Sequence, residues 1–157
     1  SFWIFNSPLI LEIKPKDLII KGELEELLNL EFKKNSSNVH YDILIVKINS
    51  NYKRSDEKFW KDNYGFHPDI YDLLVEKFPT IRVIGFNSIS VSSFSNRRVG
   101  RESHLRFLNP KKPILLLEDM DLSSINNQVT LKSIIVAPLR IEKSDGLPCT
   151  VIGELYD

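Results

Sequence analysis

Asp42-Ile43-Leu44-Ile45-Val46-Lys47-Ile48 is a near-continuous run of apolar, mostly β-branched residues, broken by one lysine. A strand exposed on one face alternates apolar with polar residues. A run without alternation marks a strand covered on both faces. Ile81-Arg82-Val83-Ile84-Gly85-Phe86 and Pro113-Ile114-Leu115-Leu116-Leu117 repeat the pattern, and residues 9–13 form a shorter version. Helical spacing lies between them. Leu24, Leu27, Leu28 and Phe32 recur at helical intervals in a Glu-rich segment. Ile70, Leu73, Leu74 and Phe78 make one apolar stripe after His67-Pro68, and Pro79 stops that helix. A polar loop is expected over about 87–100, then a short helix around His104, Leu105 and Leu108. Residues 131–141 and 149–155 read as strands, the first kinked by Pro138 or at an edge, with Asp145-Gly146 as a hairpin signal. Polar stretches at 35–38 and 49–54 read as surface loops. The terminal hairpin argues against a purely parallel sheet, so the expected class is mixed α/β.

The chain of 157 residues and 18.2 kDa suits a single domain with a proper core. Its 42% hydrophobic and 27% charged residues are ordinary for a globular protein. Lys and Arg number 21, as do Asp and Glu, so no overall field draws the molecule to nucleic acid or anionic lipid. No apolar run approaches the roughly 18 residues that span a bilayer. Cys149 is the one cysteine, which excludes an intrachain disulfide framework and a multi-thiolate zinc site. No signal-like segment opens the sequence at Ser1-Phe2-Trp3. The expected setting is cytoplasmic, without membrane.

Chemistry is limited by three histidines, His40, His67 and His104. There is no H-E-x-x-H, no G-x-S-x-G and no P-loop. Cys149 reads as a small buried side chain, His40 as solvated, and His67 as a neighbour of a helix N-terminus. His104 differs, because Glu118 closes the apolar strand 113–117, where strand ends meet clefts that hold ligands. An imidazole and a carboxylate suit zinc or manganese, but two ligands are not a metal site. The competing reading pairs Glu118 with a nearby arginine and leaves His104 packed on its helix. Arg97, Arg98, Arg101, Arg106, Lys111 and Lys112 cluster with one acid, Glu102. They form either an anion-binding patch or a solvated face offset by Glu118, Asp119 and Asp121. No aromatic interleaving among them suggests base stacking, which argues against nucleic acid.

Ile81-Arg82-Val83-Ile84-Gly85-Phe86-Asn87-Ser88-Ile89-Ser90-Val91 resembles the G-I-D-T-x-S-V segment of the cyclase family, which includes bacterial kynurenine formamidase. Ile114-Leu115-Leu116-Leu117-Glu118-Asp119-Met120-Asp121-Leu122 is similar to its I-x-I-L-E-N-L-x-L strand. Tyr41-Asp42-Ile43-Leu44-Ile45 resembles G-D-I-V-L, and His67-Pro68 resembles H-P-G-L. Ala137-Pro138-Leu139-Arg140-Ile141 and Asp145-Gly146-Leu147-Pro148 are similar to the closing L-P-L-K-L and D-G-S-P. From about Leu9 onward, the resemblance implies a swivelling β/β/α fold over 1–157, a mixed sheet with flanking helices, shortened at its N-terminus. It implies His104 and Glu118 as metal ligands and a metal-dependent hydrolase of amides or cyclic compounds, arylformamidase-like, acting on a small molecule in tryptophan catabolism. The family's H-x-G-T-H-x-D segment, with its other metal ligands and catalytic histidine, is not found in this sequence. Two family aspartates are replaced, by Asn87 and Ser92. The implied zinc or manganese site is incomplete, and the expectation is a hydrolase whose missing groups are supplied elsewhere and which is inactive without them, or a non-catalytic binding or assembly module that keeps the fold. Either is expected to be a homo-oligomer, because a shortened sheet leaves an edge to cover.

Overall fold

The computed structural model describes residues 2–35, 40–126 and 129–156, so the expected loop over Ser36, Ser37 and Asn38 lies outside the described residues. The elements are β1 (Ile4–Phe5), β2 (Pro8–Ile13), β3 (Ile19–Ile20), α1 (Gly22–Lys34), β4 (Ile43–Ile48), α2 (Glu57–Lys61), β5 (Gly65–Phe66), α3 (Asp69–Lys77), β6 (Val83–Phe86), α4 (Arg97–Phe107), β7 (Leu115–Leu117), β8 (Leu131–Pro138) and β9 (Cys149–Leu155).

Strands β2, β4, β6 and β7 form a parallel sheet in that order. Period-two alternation explains its double burial. Leu44, Val46 and Ile48 point to one side, against Leu24 and Leu28 of α1, Leu74 of α3 and Phe107 of α4. Ile43, Ile45 and Val83 point to the other, against Phe5, Ile134 and Val136. Those last three belong to a separate antiparallel sheet in the order β1-β8-β9. The layers are helices, parallel sheet and antiparallel sheet. The expected mixture of strand directions is met by two main sheets stacked face to face, each of one kind, with β3 and β5 forming a separate parallel pair.

Several boundaries differ from the sequence expectation. Helix α4 begins at Arg97 rather than near Gly100, because the Asn96 Oδ1 accepts from Val99 N at 3.2 Å and caps the first turn. The 87–100 stretch is only partly a surface loop, since Val91 and Ser93 are buried. The buried Asn63 supplies the hydrogen bonds that burial demands, donating to Ser92 O at 2.7 Å and accepting from Phe94 N at 2.9 Å. Strand β8 ends at Pro138, short of the expected residue 141, and pairs antiparallel with β9 in a hairpin whose loop, residues 139–148, contains Asp145-Gly146. Among the described residues, no helix is long and apolar enough to cross a membrane.

Candidate functional site

The four parallel strands end along one edge, and that edge carries the polar side chains of interest. In open parallel sheets, ligands bind in the crevice beyond the carboxyl ends of the strands. Here β4 leads into Asn49, β6 into Asn87 and Ser88, and β7 into Glu118 and Asp119. A small indentation opens beside them, lined by Ile48, Phe59, Asn63, Tyr64, Asn87 and Ser88.

Glu118 follows directly on β7. Its Oε1 accepts from Val91 N at 2.7 Å and from Ser90 Oγ at 3.2 Å, which fixes the carboxylate against the 88–93 turn. His104, in the last turns of α4, brings Nε2 to 3.8 Å from the same oxygen. The two residues singled out by the sequence are therefore neighbours, each about one-third exposed at the side chain. The competing arginine pairing goes elsewhere. Arg54 forms a two-point ion pair with the adjacent Asp119, Nη2 lying 2.8 Å from Oδ2. That contact raises the Arg54 pKa. Asp119 adopts a positive φ of 58°, a conformation aspartate tolerates better than most side chains. The turn sends consecutive carboxylates to different partners, Glu118 to His104 and Asp119 to Arg54.

On the other side of the imidazole, His104 Nδ1 lies 2.9 Å from Ser92 Oγ and 3.3 Å from Gly100 O. Two glycines allow this approach. A Cβ on Gly100 would lie 2.5 Å from Ser92 Oγ, and one on Gly65 would lie 2.3 Å from Ser93 N. Asn87 does a different job. Its Oδ1 accepts from Ile48 N at 2.7 Å while its Nδ2 donates to Ile48 O at 2.9 Å, joining the ends of β4 and β6. A carboxylate cannot donate, so the amide is required by this pairing. Neither set of contacts is encoded locally: that of Ser92 depends on how closely α4 approaches the turn, and that of Asn87 on the pairing of β4 with β6.

The remaining candidates separate. His67 stays at the start of α3, its Nδ1 3.4 Å from Asp69 Oδ2. Asp69 is held below the usual carboxylate range chiefly by the hydrogen bond from Lys21. His40 is exposed. Cys149 corrects the expectation of a buried residue: it is exposed on β9, the outermost strand of its sheet, yet partial desolvation raises the thiol pKa away from thiolate character. Arg106 pairs with Asp72 at 2.6 Å, whereas Arg97, Arg98 and Arg101 form no ion pair among the described residues. Among those residues, no group of three or more His, Cys, Asp or Glu could hold a metal ion.

No family model matches the sequence, and no curated protein matches it. A solved structure does match: isatin hydrolase A from Labrenzia aggregata, bound to benzyl benzoate, with a TM-score of 0.60 and 12% sequence identity. The alignment covers 98% of this chain and 62% of that one, so the chain spans less than two-thirds of the neighbour's length. At this identity the likeness carries the architecture alone: the chain shares the α/β fold of isatin hydrolase A.

Proposed function

We propose that the chain is a kynurenine formamidase-like member of the cyclase hydrolases whose metal-dependent reaction is not supported by its own donor set. The observation behind this reading is the His104–Glu118 pair standing without a third ligand among the described residues. A hydrolytic zinc takes about three protein ligands and one water. Here Glu118 Oε1 is already engaged by Val91 N and Ser90 Oγ, and the His104 Nε2 faces that same oxygen. These residues do not fit a catalytic zinc or manganese by themselves. Metal analysis with an N-formyl-arylamine assay on the purified chain tests the reading. It expects substoichiometric metal and background turnover, unchanged by His104→Ala. Stoichiometric zinc with turnover abolished by that substitution overturns it.

The second reading is a binding or assembly module that keeps the fold. The use of Asn87 to tie β4 to β6 favours it, since that position serves the scaffold. Self-association belongs to either reading. Ile4, Ile135 and Ile152 align across β1, β8 and β9 and are all exposed, leaving an apolar face that a second copy would cover. Sedimentation velocity should show a dimer or larger species that Ile135→Lys dissociates.

A further inference from the structure

Ser92 Oγ, the two nitrogens of His104 and the Glu118 carboxylate lie in sequence, at 2.9 Å and 3.8 Å. A hydroxyl on one imidazole nitrogen and a carboxylate facing the other is the arrangement that activates a serine. The base takes the hydroxyl proton, and the third group sets its tautomer and steadies the imidazolium. With the proton on Nε2, the ring donates towards Glu118 and turns the Nδ1 lone pair to Ser92. Gly100 O competes for Nδ1 at 3.3 Å, but a carboxylate is the stronger acceptor. The 3.8 Å separation is long for a hydrogen bond, as such contacts often are before substrate binds. Ser92 is also held in place. Gly65 and Gly100 admit its backbone and side chain, and Asn63 fixes its carbonyl.

We propose that Ser92 is a nucleophile for metal-independent acyl transfer, with His104 as its base and Glu118 as the residue that positions the imidazole. Ser92 Oγ bonds to the carbonyl carbon of an ester while its proton passes to His104 Nδ1. The tetrahedral intermediate collapses, the bond to the leaving oxygen breaks, and the leaving alcohol takes that proton. Water then gives a proton to His104 and its hydroxide to the acyl-serine; the bond to Ser92 Oγ breaks, His104 returns the proton to that oxygen, and the acid leaves. The inference goes beyond the metal reading and does not depend on it.

The backbone donors define the substrate class. Val91 N–H is committed to Glu118, Ser92 N–H to Ser90 Oγ, and Phe94 N–H to Asn63. No pair of these amides is left for the oxyanion, and one missing donor costs about 100- to 1,000-fold in rate. Amides are beyond such a site. Aryl esters of small carboxylic acids, whose leaving groups depart easily, are within it, and the acyl-serine should persist.

The test treats the purified chain with EDTA and then p-nitrophenyl acetate, following p-nitrophenolate release and mapping acetyl groups by tandem mass spectrometry. The expected result is acetylation at Ser92, with release slowed about 100-fold or more by Ser92→Ala or His104→Ala. Glu118→Gln should slow it less, because the amide still accepts from Nε2–H. Acetylation absent from Ser92, or release indifferent to both alanine substitutions, overturns the proposal. A second variant guards against misfolding: Ser92→Cys in a Cys149→Ser background should react with iodoacetamide faster when His104 is present than in His104→Ala. Equal rates also overturn it. Because EDTA is present throughout, the outcome is separate from the metal measurement above.

Discussion

The two sheets are built from the same kinds of residue and lead opposite lives. In the parallel sheet, β4 has Ile43, Leu44, Ile45 and Val46 all at or below 2% exposure, because helices cover one face and the second sheet covers the other. In the antiparallel sheet, Ile134 and Val136 are buried while Ile135 between them is 41% exposed, in register with Ile4 and Ile152. β-branched composition therefore reports that a segment is a strand, while the number of covering layers decides its burial. The consequence is functional. A sheet covered on both faces offers only its ends, and at the carboxyl end the stretch after β6 carries Asn87 and Ser92 while the turn after β7 carries Glu118. The outer sheet offers a face instead, suited to a partner surface.

The largest test of this contrast is truncation at the centre of the covered sheet. Phe86 is fully buried, its ring tilted against that of Phe66 with centroids 4.7 Å apart, so Phe86→Ala should cost about 3–5 kcal/mol in urea unfolding. Ile135→Ala, one sheet away, should stay within about 0.5 kcal/mol in a monomeric preparation. A large loss at Ile135 under those conditions would mean that its face is covered within one chain, and the contrast would fail.

Asn87→Asp probes the edge where the parallel strands end. The introduced carboxylate keeps the bond from Ile48 N but sets an acceptor against Ile48 O, at an expected cost of about 1–3 kcal/mol at neutral pH. Protonation restores a donor, so the folded form should hold that carboxyl's pKa above its unfolded value. The loss should accordingly shrink as pH falls into the carboxylate range and be full above it. A pH-independent loss would show that the amide's donor is not what matters.

Much of this was legible in the chain, for identifiable reasons. The runs 42–48 and 81–86 announce doubly covered strands because nothing in them alternates. The proximity of His104 and Glu118 followed from the family resemblance, in which motif order substitutes for distance. Helix α2 was missed because Glu57–Lys61 is a five-residue helix, too short to show a period. The early start of α4 was hidden by Arg97, Arg98 and Gly100, which carry no apolar stripe, although Asn96 was available as a capping signal. The link from Ser92 to His104 was not legible. It depends on Gly100 lacking a Cβ where the turn meets the helix, a contact between segments that no local pattern encodes.

The smallest expected effect lies on the outer sheet, where an exposed ion pair tests whether charges there behave as on any surface. Lys132 Nζ lies 2.8 Å from Glu154 Oε1, and Ser133 Oγ donates to Oε2 at 2.8 Å, with both charged side chains 53% exposed. The Lys132 hydrogen bond, then that of Ser133, holds the Glu154 carboxyl below its usual range, and Glu154 in turn raises Lys132. A carboxyl depressed on folding stabilises the fold above its unfolded pKa, and this contribution fades as pH falls through the folded value. A lysine raised on folding contributes below its unfolded pKa, and loses that contribution as pH rises through the folded one. Both are therefore in place at neutral pH. Because water and salt reach the pair, the contribution to unfolding should be hard to detect at moderate ionic strength. Titration by NMR is the sensitive measurement. Glu154 should titrate below an ordinary glutamate, return most of the way in Lys132→Met, and move less in Ser133→Ala. An ordinary value in the unmodified chain would mean that the pair does not persist in solution, and that the outer sheet's rim is looser than the covered sheet it flanks.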